Sequence, residues 1–217
     1  MVSEPLILGF DTSAAHCAAA LLRGEELVAE RYEEMSRGQA ERLMPLLEEI
    51  LAGQGIGWRD LTAIGVGVGP GNFTGIRISV SAARGLALAL DIPAIGVSTF
   101  EALRFGQDGT MITAVKGPAD KTYVQVGEAA PVLCGPEEMP DYPSKAEPVL
   151  LAYPSADALS LKAELNEIQP CYPLAEAIAR KALARRFNQI EPPAPLYIKA
   201  ADAAPSRDAP PVMLDDA

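Results

Sequence analysis

The chain has 217 residues, which suits one ordinary domain or two small ones, and 49% of them are hydrophobic, as in globular proteins. Its formal net charge of −11, from 29 acidic and 18 basic residues, would repel a nucleic-acid backbone unless a local basic patch overcame it. No apolar run reaches the roughly 18 to 20 residues of a membrane helix, and the first residues lack the cationic start of a signal peptide. We therefore expect a cytoplasmic protein without membrane contacts.

The cysteines and the basic residues give no sign of a metal or nucleic-acid module. Cys17, Cys134 and Cys171 are odd in number and widely spaced, which argues against a disulfide framework and a zinc site and predicts reduced, buried thiols. The densest basic stretch, at 180–186, falls on a predicted helix near the end of the chain. A solvated helical face explains such a stretch more often than an RNA contact does.

The first third of the chain predicts a β-meander followed by a helix. Segments 6–10, 17–22 and 27–33 are apolar or alternating, as strands are, and 23–25 suit a hairpin tip. Leucine and isoleucine then recur at three-and-four spacing from Leu43 to Leu51, which indicates one buried helical face that ends at Gly53. Ser36 is the expected N-cap of this helix.

Crossover units follow the meander. Residues 61–68 are typical of a buried strand, and a glycine-rich turn then leads into a helix that runs to about Leu90 and is capped by Asn72 or Thr74. A short strand at 94–97 precedes a helix capped by Ser98 or Thr99. The order β-β-β-α-β-α-β-α predicts an α/β fold with a mixed sheet and helices on its faces.

The second half has weaker patterns. Strands are predicted at 111–115, 122–126 and 149–152, and helices near 156–166 and 174–187. Prolines flank a strand-like segment at 196–198, and the residues beyond about 204 have too little apolar content to order themselves.

Four stretches of the sequence resemble a known family. Residues 65–77, Gly-Val-Gly-Val-Gly-Pro-Gly-Asn-Phe-Thr-Gly-Ile-Arg, and 93–98, Pro-Ala-Ile-Gly-Val-Ser, resemble the signature of the TsaB (YeaZ) family, as do 11–13 and 195–199. The resemblance implies an actin-like ATPase (RNase H-like) fold with two lobes and mixed sheets. Residues 1–105 would form a complete N-terminal lobe, 106–204 a reduced second lobe, and 205–217 a flexible tail.

The resemblance also implies a function. Members of this family work with the catalytic subunit TsaD and the ATPase TsaE, which together place threonylcarbamoyladenosine at position 37 of tRNA. This chain would then be a non-catalytic partner or scaffold of TsaD that meets tRNA only indirectly. It would need no cofactor of its own, with ATP or ADP bound at the shared interface of the complex.

The TsaD family resembles this chain and carries a metal-binding His-x-x-x-His soon after the strand at 94–97. Thr99 and Leu103 stand at those positions here, neither can serve as an imidazole ligand, and His16 is the only histidine. One histidine also cannot supply the His-Glu-x-x-His of a metalloprotease, and 96–100 lack the final glycine of a serine hydrolase motif. We therefore expect no metal site, no catalytic residue and no protease activity, and a structural or surface role for His16.

Phosphate binding is the alternative chemistry. The glycine-rich turn at 69–75 could offer backbone N–H groups to an anion, although a tight strand-to-helix turn needs the same glycines. Resemblance to the actin-like kinases would place Asp11, Thr12 and Ser13 at the phosphates of a nucleotide. Those kinases clasp the adenosine with a Gly-Gly turn, and the chain has no Gly-Gly pair. A small kinase or phosphatase that binds a nucleotide is the second hypothesis.

A partner surface is expected on the helix at 74–90. Small residues lie four apart in two rows, and such rows allow another helix to approach closely, although at least one row should pack on the chain's own sheet. In the resembled family, the first two helices form the interface of both the homodimer and the heterodimer. The predicted interface residues are Met44, Leu47, Leu51, Gly75, Arg77, Ser79, Ala82 and Ala83.

Overall fold

The computed structural model describes residues 4–135, 149–151, 167–188 and 191–198. The strands are β1 Leu6–Asp11, β2 His16–Arg23, β3 Glu26–Glu34, β4 Ala63–Gly67, β5 Ala94–Val97, β6 Ile112–Lys116, β7 Thr122–Val126, β8 Val132–Cys134, β9 Val149–Leu151 and β10 Glu167–Ile168. The helices are α1 Gln39–Gly53, α2 Phe73–Leu90, α3 Thr99–Arg104 and α4 Leu174–Arg185. The predicted helix at 156–166 and the predicted tail lie outside the described residues.

Two five-stranded mixed sheets form the body of the protein. The first has the order β3-β2-β1-β4-β5, in which β1 to β3 are the predicted antiparallel meander and β1, β4 and β5 run parallel. The second has the order β10-β9-β6-β7-β8, with β6, β7 and β8 antiparallel and β9 parallel to both of its neighbours. The predicted α/β fold with mixed sheets is confirmed, whereas β8 and β10 were not predicted.

Helices cover both faces of the first sheet. Because side chains alternate along a strand, Leu8 and Phe10 of β1 pack with α1 and α2, whereas Ile7 packs with α4 on the opposite face. Gly9 lies directly under α4, since a Cβ on it would fall 2.7 Å from Ala175 O and from Ala179 Cβ. The sheet and α4 therefore approach more closely than larger side chains would permit.

The position of α4 corrects the predicted lobe boundary. The sequence assigned 106–204 to the second lobe, but α4 packs on β1, β2 and β4 of the first sheet. Alanines of α4 pack directly over Gly9 of β1 and Gly65 of β4. A Cβ on Gly65 would lie 2.9 Å from Ala182 Cβ. Helical periodicity shows that a face is buried but not which sheet buries it, so this return to the first lobe could not be predicted from the pattern.

The helix caps match the predictions in part. Asn72 caps α2, with its Oδ1 accepting from Gly75 N at 2.9 Å, and Ser98 caps α3. The predicted cap at Ser36 is wrong, because α1 begins at Gln39 after Gly38, whose φ of 91° turns the chain. The prediction for the cysteines is also wrong for Cys171, which is exposed, whereas Cys17 and Cys134 are buried and burial raises the pKa of the Cys17 thiol to about 11.

Replacing Ser98 with alanine should destabilise the fold by about 1 kcal/mol, because the cap of α3 is reciprocal. Ser98 Oγ accepts from Glu101 N, and Glu101 Oε2 accepts from Ser98 N at 2.9 Å. Burial disfavours the Glu101 carboxylate, but its hydrogen bonds from Ser98 and Arg185 outweigh this and lower its pKa. Chemical denaturation at neutral pH would measure the change, with the exposed Ser81→Ala on α2 as control. Equal stabilities of the two variants would contradict this account of the cap.

Candidate functional site

The parallel strands β1, β4 and β5 end at one edge of the first sheet. In open α/β sheets, ligands bind in the crevice outside the carboxyl ends of the strands, where the strand order changes direction. Here that place is bounded by 11–13 after β1, by 68–72 after β4 and by 98–99 after β5. We call it the strand-end crevice and take it as the first candidate site.

The Asp11 carboxylate organises the loop after β1. Its Oδ2 accepts three hydrogen bonds, from Ser13 N at 2.9 Å, Ser13 Oγ at 2.8 Å and His16 Nε2 at 2.7 Å. Because a carboxylate can only accept, His16 Nε2 carries the proton, and the His16 ring also lies 5.3 Å from that of Tyr32. Asp11, Ser13 and His16 are all buried. His16 is thus held within the fold by Asp11, and the structural or surface role expected from the sequence stays a prediction.

The start of α2 lies directly on this loop. A Cβ on Gly75 would fall 1.9 Å from Thr12 O, and one on Gly71 would fall 2.2 Å from Ser13 O. Asn72 N donates to Ser13 O at 2.6 Å, and Thr12 Oγ1 donates to Gly75 O at 2.7 Å. The glycines of the turn thus serve the close approach of two backbones.

The chain also fills the crevice beyond β4 and β5. Thr99 N donates to Gly69 O at 2.8 Å, and Thr99 Oγ1 donates to Pro70 O at 3.3 Å. Segment 191–198, which we call the strap, enters from the other side, where Leu196 N donates to Val68 O at 2.8 Å. The strap is an extended segment and not the predicted strand at 196–198.

The sequence predicted that Asp11, Thr12 and Ser13 face a nucleotide, whereas the structure buries all three. Their side chains are 0%, 0% and 3% exposed, and the chain's own groups accept or donate the hydrogen bonds described above. The physical reason is the absence of side chains on Gly71 and Gly75, which lets α2 close over the loop. The strand-end crevice of this chain is packed with protein.

The two residues at the positions of the TsaD metal ligands are also buried. Thr99 and Leu103 are 5% exposed, and Leu103 packs in a cluster with Phe100 and Met111. Over the residues the structure describes, no group of three or more His, Cys, Asp or Glu side chains could hold a metal ion.

The second candidate site is the surface of α1 and α2. Five of the eight predicted interface residues are buried in the chain's own core, which is a correction: Leu47, Leu51, Gly75, Ser79 and Ala83. The row that contains Ser79 packs on the first sheet, where Ser79 Oγ donates to Gly67 O at 3.2 Å. Met44 and Ala82 are half-buried, and Arg77 is exposed.

The other row of small residues is the exposed one. Ser81, Gly85 and Ala89 face outward beside Leu88, which is 87% exposed. Two arginines share this side, and α2 contains no Asp or Glu. We call this surface the outer face of α2, and it consists of Phe73, Arg77, Ser81, Arg84, Gly85, Leu88 and Ala89.

By length and composition alone, α2 is long and apolar enough to cross a membrane. Core helices of soluble proteins have the same length and composition, and one side of α2 packs on the sheet through Ile76, Val80 and Ala83. The helix therefore has one side in the core and one side that is exposed among the residues the structure describes.

The basic stretch on α4 takes part in ion pairs within the fold. Arg180 pairs with Glu176 at 2.7 Å, and Arg185 pairs with Glu101 of α3. The Arg180 guanidinium also lies 4.6 Å from the centre of the Tyr172 ring. These contacts favour a structural role for the two arginines, whereas the sequence predicted a solvated helical face.

Comparison with known proteins places this chain among its relatives. The family model described as TsaD, tRNA N6-adenosine threonylcarbamoyltransferase, matches residues 31–128. The tRNA threonylcarbamoyladenosine biosynthesis protein TsaB is 40% identical over 98 residues in Haemophilus influenzae, or 45% of this chain and 41% of that protein. The Escherichia coli TsaB is 38% identical over 100 residues, or 46% of this chain and 43% of that protein. The matches thus span less than half of these curated relatives.

Solved structures extend the similarity to most of the chain. YeaZ from Pseudomonas aeruginosa superposes with a TM-score of 0.69 and 25% identity, covering 89% of this chain and 99% of that one. A second Pseudomonas aeruginosa structure, described as similar to peptidase YeaZ, gives a TM-score of 0.73 at 24% identity over 90% of this chain and 100% of that one. These neighbours support the actin-like ATPase fold that the sequence predicts. The signature at 65–77, the identity to TsaB proteins and the YeaZ-like fold together support the TsaB (YeaZ) family for this chain.

Proposed function

We propose that this chain serves tRNA threonylcarbamoyladenosine synthesis as a non-catalytic partner of a TsaD-type catalytic subunit. The names of its relatives assign them to that pathway. The observation that carries the non-catalytic role is the packed strand-end crevice, in which the chain's own backbone occupies the place where this class of sheet binds ligands. A protein whose crevice is filled acts through its surface.

The outer face of α2 is the proposed docking surface. Small residues at Ser81, Gly85 and Ala89 permit close helix contact, and the exposed side chain of Leu88 can insert between residues of a facing helix. Burying one such leucine contributes about 2 kcal/mol to an association. The half-buried Met44 and Ala82 would lie at the edge of this contact.

Several partners follow from this proposal. A TsaE-type ATPase would join the complex, with ATP or ADP held at an interface between subunits and tRNA reached through the catalytic subunit, all in the cytoplasm. The isolated chain would form a homodimer through the same helices.

Leu88→Asp should weaken binding to the TsaD-type protein of the same organism at least tenfold, because it places a charge in an apolar contact. Calorimetric titration of the two purified proteins would measure this loss. Gly85→Trp should have a similar effect by blocking close approach. Phe187→Asp is the matched control, since Phe187 is 84% exposed but follows α4 on the opposite side of the first sheet. Unchanged binding by both α2 variants would refute this docking surface.

The competing function, a nucleotide-binding kinase or phosphatase, has a separate test. Titration of the isolated chain with ATP and magnesium should give no binding at sub-millimolar concentration. Saturable binding that is lost in Asp11→Asn would favour the enzyme hypothesis over ours.

A further inference from the structure

The strap meets the outer face of α2 through one aromatic and arginine cluster. Tyr197 OH accepts from Arg77 Nε at 2.9 Å, and the rings of Tyr197 and Phe73 lie 5.2 Å apart. The Arg77 guanidinium carbon lies 3.8 Å from the centre of the Phe73 ring. These three residues, which we call the Arg77 cluster, join the first turns of α2 to a segment 120 residues later in the chain.

The strap is anchored in the core on the residues around Tyr197. Leu196 packs in two hydrophobic clusters, one with α1 and α2 and one with Phe100 and Tyr123, and Ile198 packs in the second. Pro193 is buried beside Gly96, where a Cβ would lie 3.4 Å from Pro193 Cβ. The strap therefore fills the strand-end crevice and, in the same position, holds Tyr197 beside α2.

The Arg77 cluster remains partly open to solvent. Phe73 is 41% exposed and Tyr197 is 45% exposed, although both rings and a guanidinium are already in contact. Tyrosine and arginine held rigidly at a surface are the residue types that dominate binding energy in protein interfaces, because little conformational entropy is lost when they are covered. The cluster is continuous with the outer face of α2 through Arg77 itself.

We infer that the seated strap completes the docking surface, so that the partner binds the outer face of α2 and Tyr197 together. This inference rests on the proposed function and adds the strap to it. The occupant is a helix of the TsaD-type partner that carries apolar residues and carboxylates. Charge complementarity supports this choice, because Arg77 and Arg84 lie on a helix without any acidic residue. Displacing the strap would open the crevice and weaken docking at the same time.

The test measures binding of the TsaD-type protein by calorimetry with the full chain and five variants. Tyr197→Ala and Arg77→Ala should each weaken binding about tenfold. Because the two residues act as a unit, the affinity lost by the double variant should be much smaller than the product of the two single losses. Tyr197→Phe keeps the ring and should lose only a few-fold. Phe187→Ala, an exposed aromatic residue outside the surface, should bind like the unaltered chain.

Two controls separate the outcomes. Thermal unfolding of Tyr197→Ala shows whether the strap variant remains folded, and Leu88→Asp reports the outer face of α2 without the strap. If Leu88→Asp loses binding while Tyr197→Ala and Arg77→Ala bind as the unaltered chain does, the inference is overturned and the proposed function stands. If the strap variants change only self-association, measured by sedimentation, the occupant is a second copy and the inference also fails.

Discussion

Replacing Gly75 with alanine should destabilise the chain by about 3 kcal/mol, although alanine is the better helix former. The added Cβ would lie 1.9 Å from Thr12 O, whereas carbon and oxygen atoms that are not bonded stay roughly 3.5 Å apart. Neither backbone can move cheaply, because Asn72 N and Thr12 Oγ1 tie the loop and the helix together. Urea denaturation of the two proteins would measure the difference.

The same helix supplies the matched control. A Cβ on Gly85 would meet no atom within 4 Å, so Gly85→Ala should stabilise the chain by up to about 1 kcal/mol. The two substitutions are chemically identical and differ only in what the methyl group meets. Equal effects at the two positions would mean that α2 does not close over the loop after β1, and the packed crevice would then be wrong.

Replacing Asp11 with alanine should cost about 3 kcal/mol or more of folding free energy. The change leaves three buried donors, Ser13 N, Ser13 Oγ and His16 Nε2, without the acceptor that they share. Thermal or urea denaturation would detect the loss, and Asp108→Ala at an exposed position is the control.

A milder variant separates structure from chemistry at the same position. Asp11→Asn keeps one carbonyl oxygen and should recover part of the stability, because the amide can still accept from some of these donors. If Asp11→Ala were as stable as the unaltered chain, the carboxylate would have no structural role, and a catalytic or nucleotide-binding role would regain support.

The sequence predicted most of the first sheet and its helices because their signals are local. Alternation along β2 and β3, the spacing of Leu43 to Leu51 in α1, and the cap at Asn72 each depend on neighbouring residues only. The packed crevice was not predicted, since it depends on how close two distant backbones come. Glycines at 71 and 75 are compatible with a phosphate loop and with a close backbone contact, and the distances to Thr12 and Ser13 distinguish the two.

The interface prediction shows the same limit and one overlooked signal. Two rows of small residues follow α2, and their spacing cannot tell which row faces the sheet. The arginines could have decided it, because Arg77 and Arg84 must reach solvent and therefore mark the side on which Leu88 lies. No comparable local signal indicates that α4 packs on the first sheet or that the strap contacts Arg77.

The most direct test of the account is reconstitution of tRNA threonylcarbamoylation from purified TsaD-type and TsaE-type proteins, the threonylcarbamoyl donor, ATP and tRNA, with and without this chain. We expect modification only when the chain is present, no modification by the chain alone, and a strong loss with Leu88→Asp but not with Phe187→Asp. Full modification in the absence of the chain, or modification by the chain alone, would contradict a non-catalytic partner that acts through the outer face of α2.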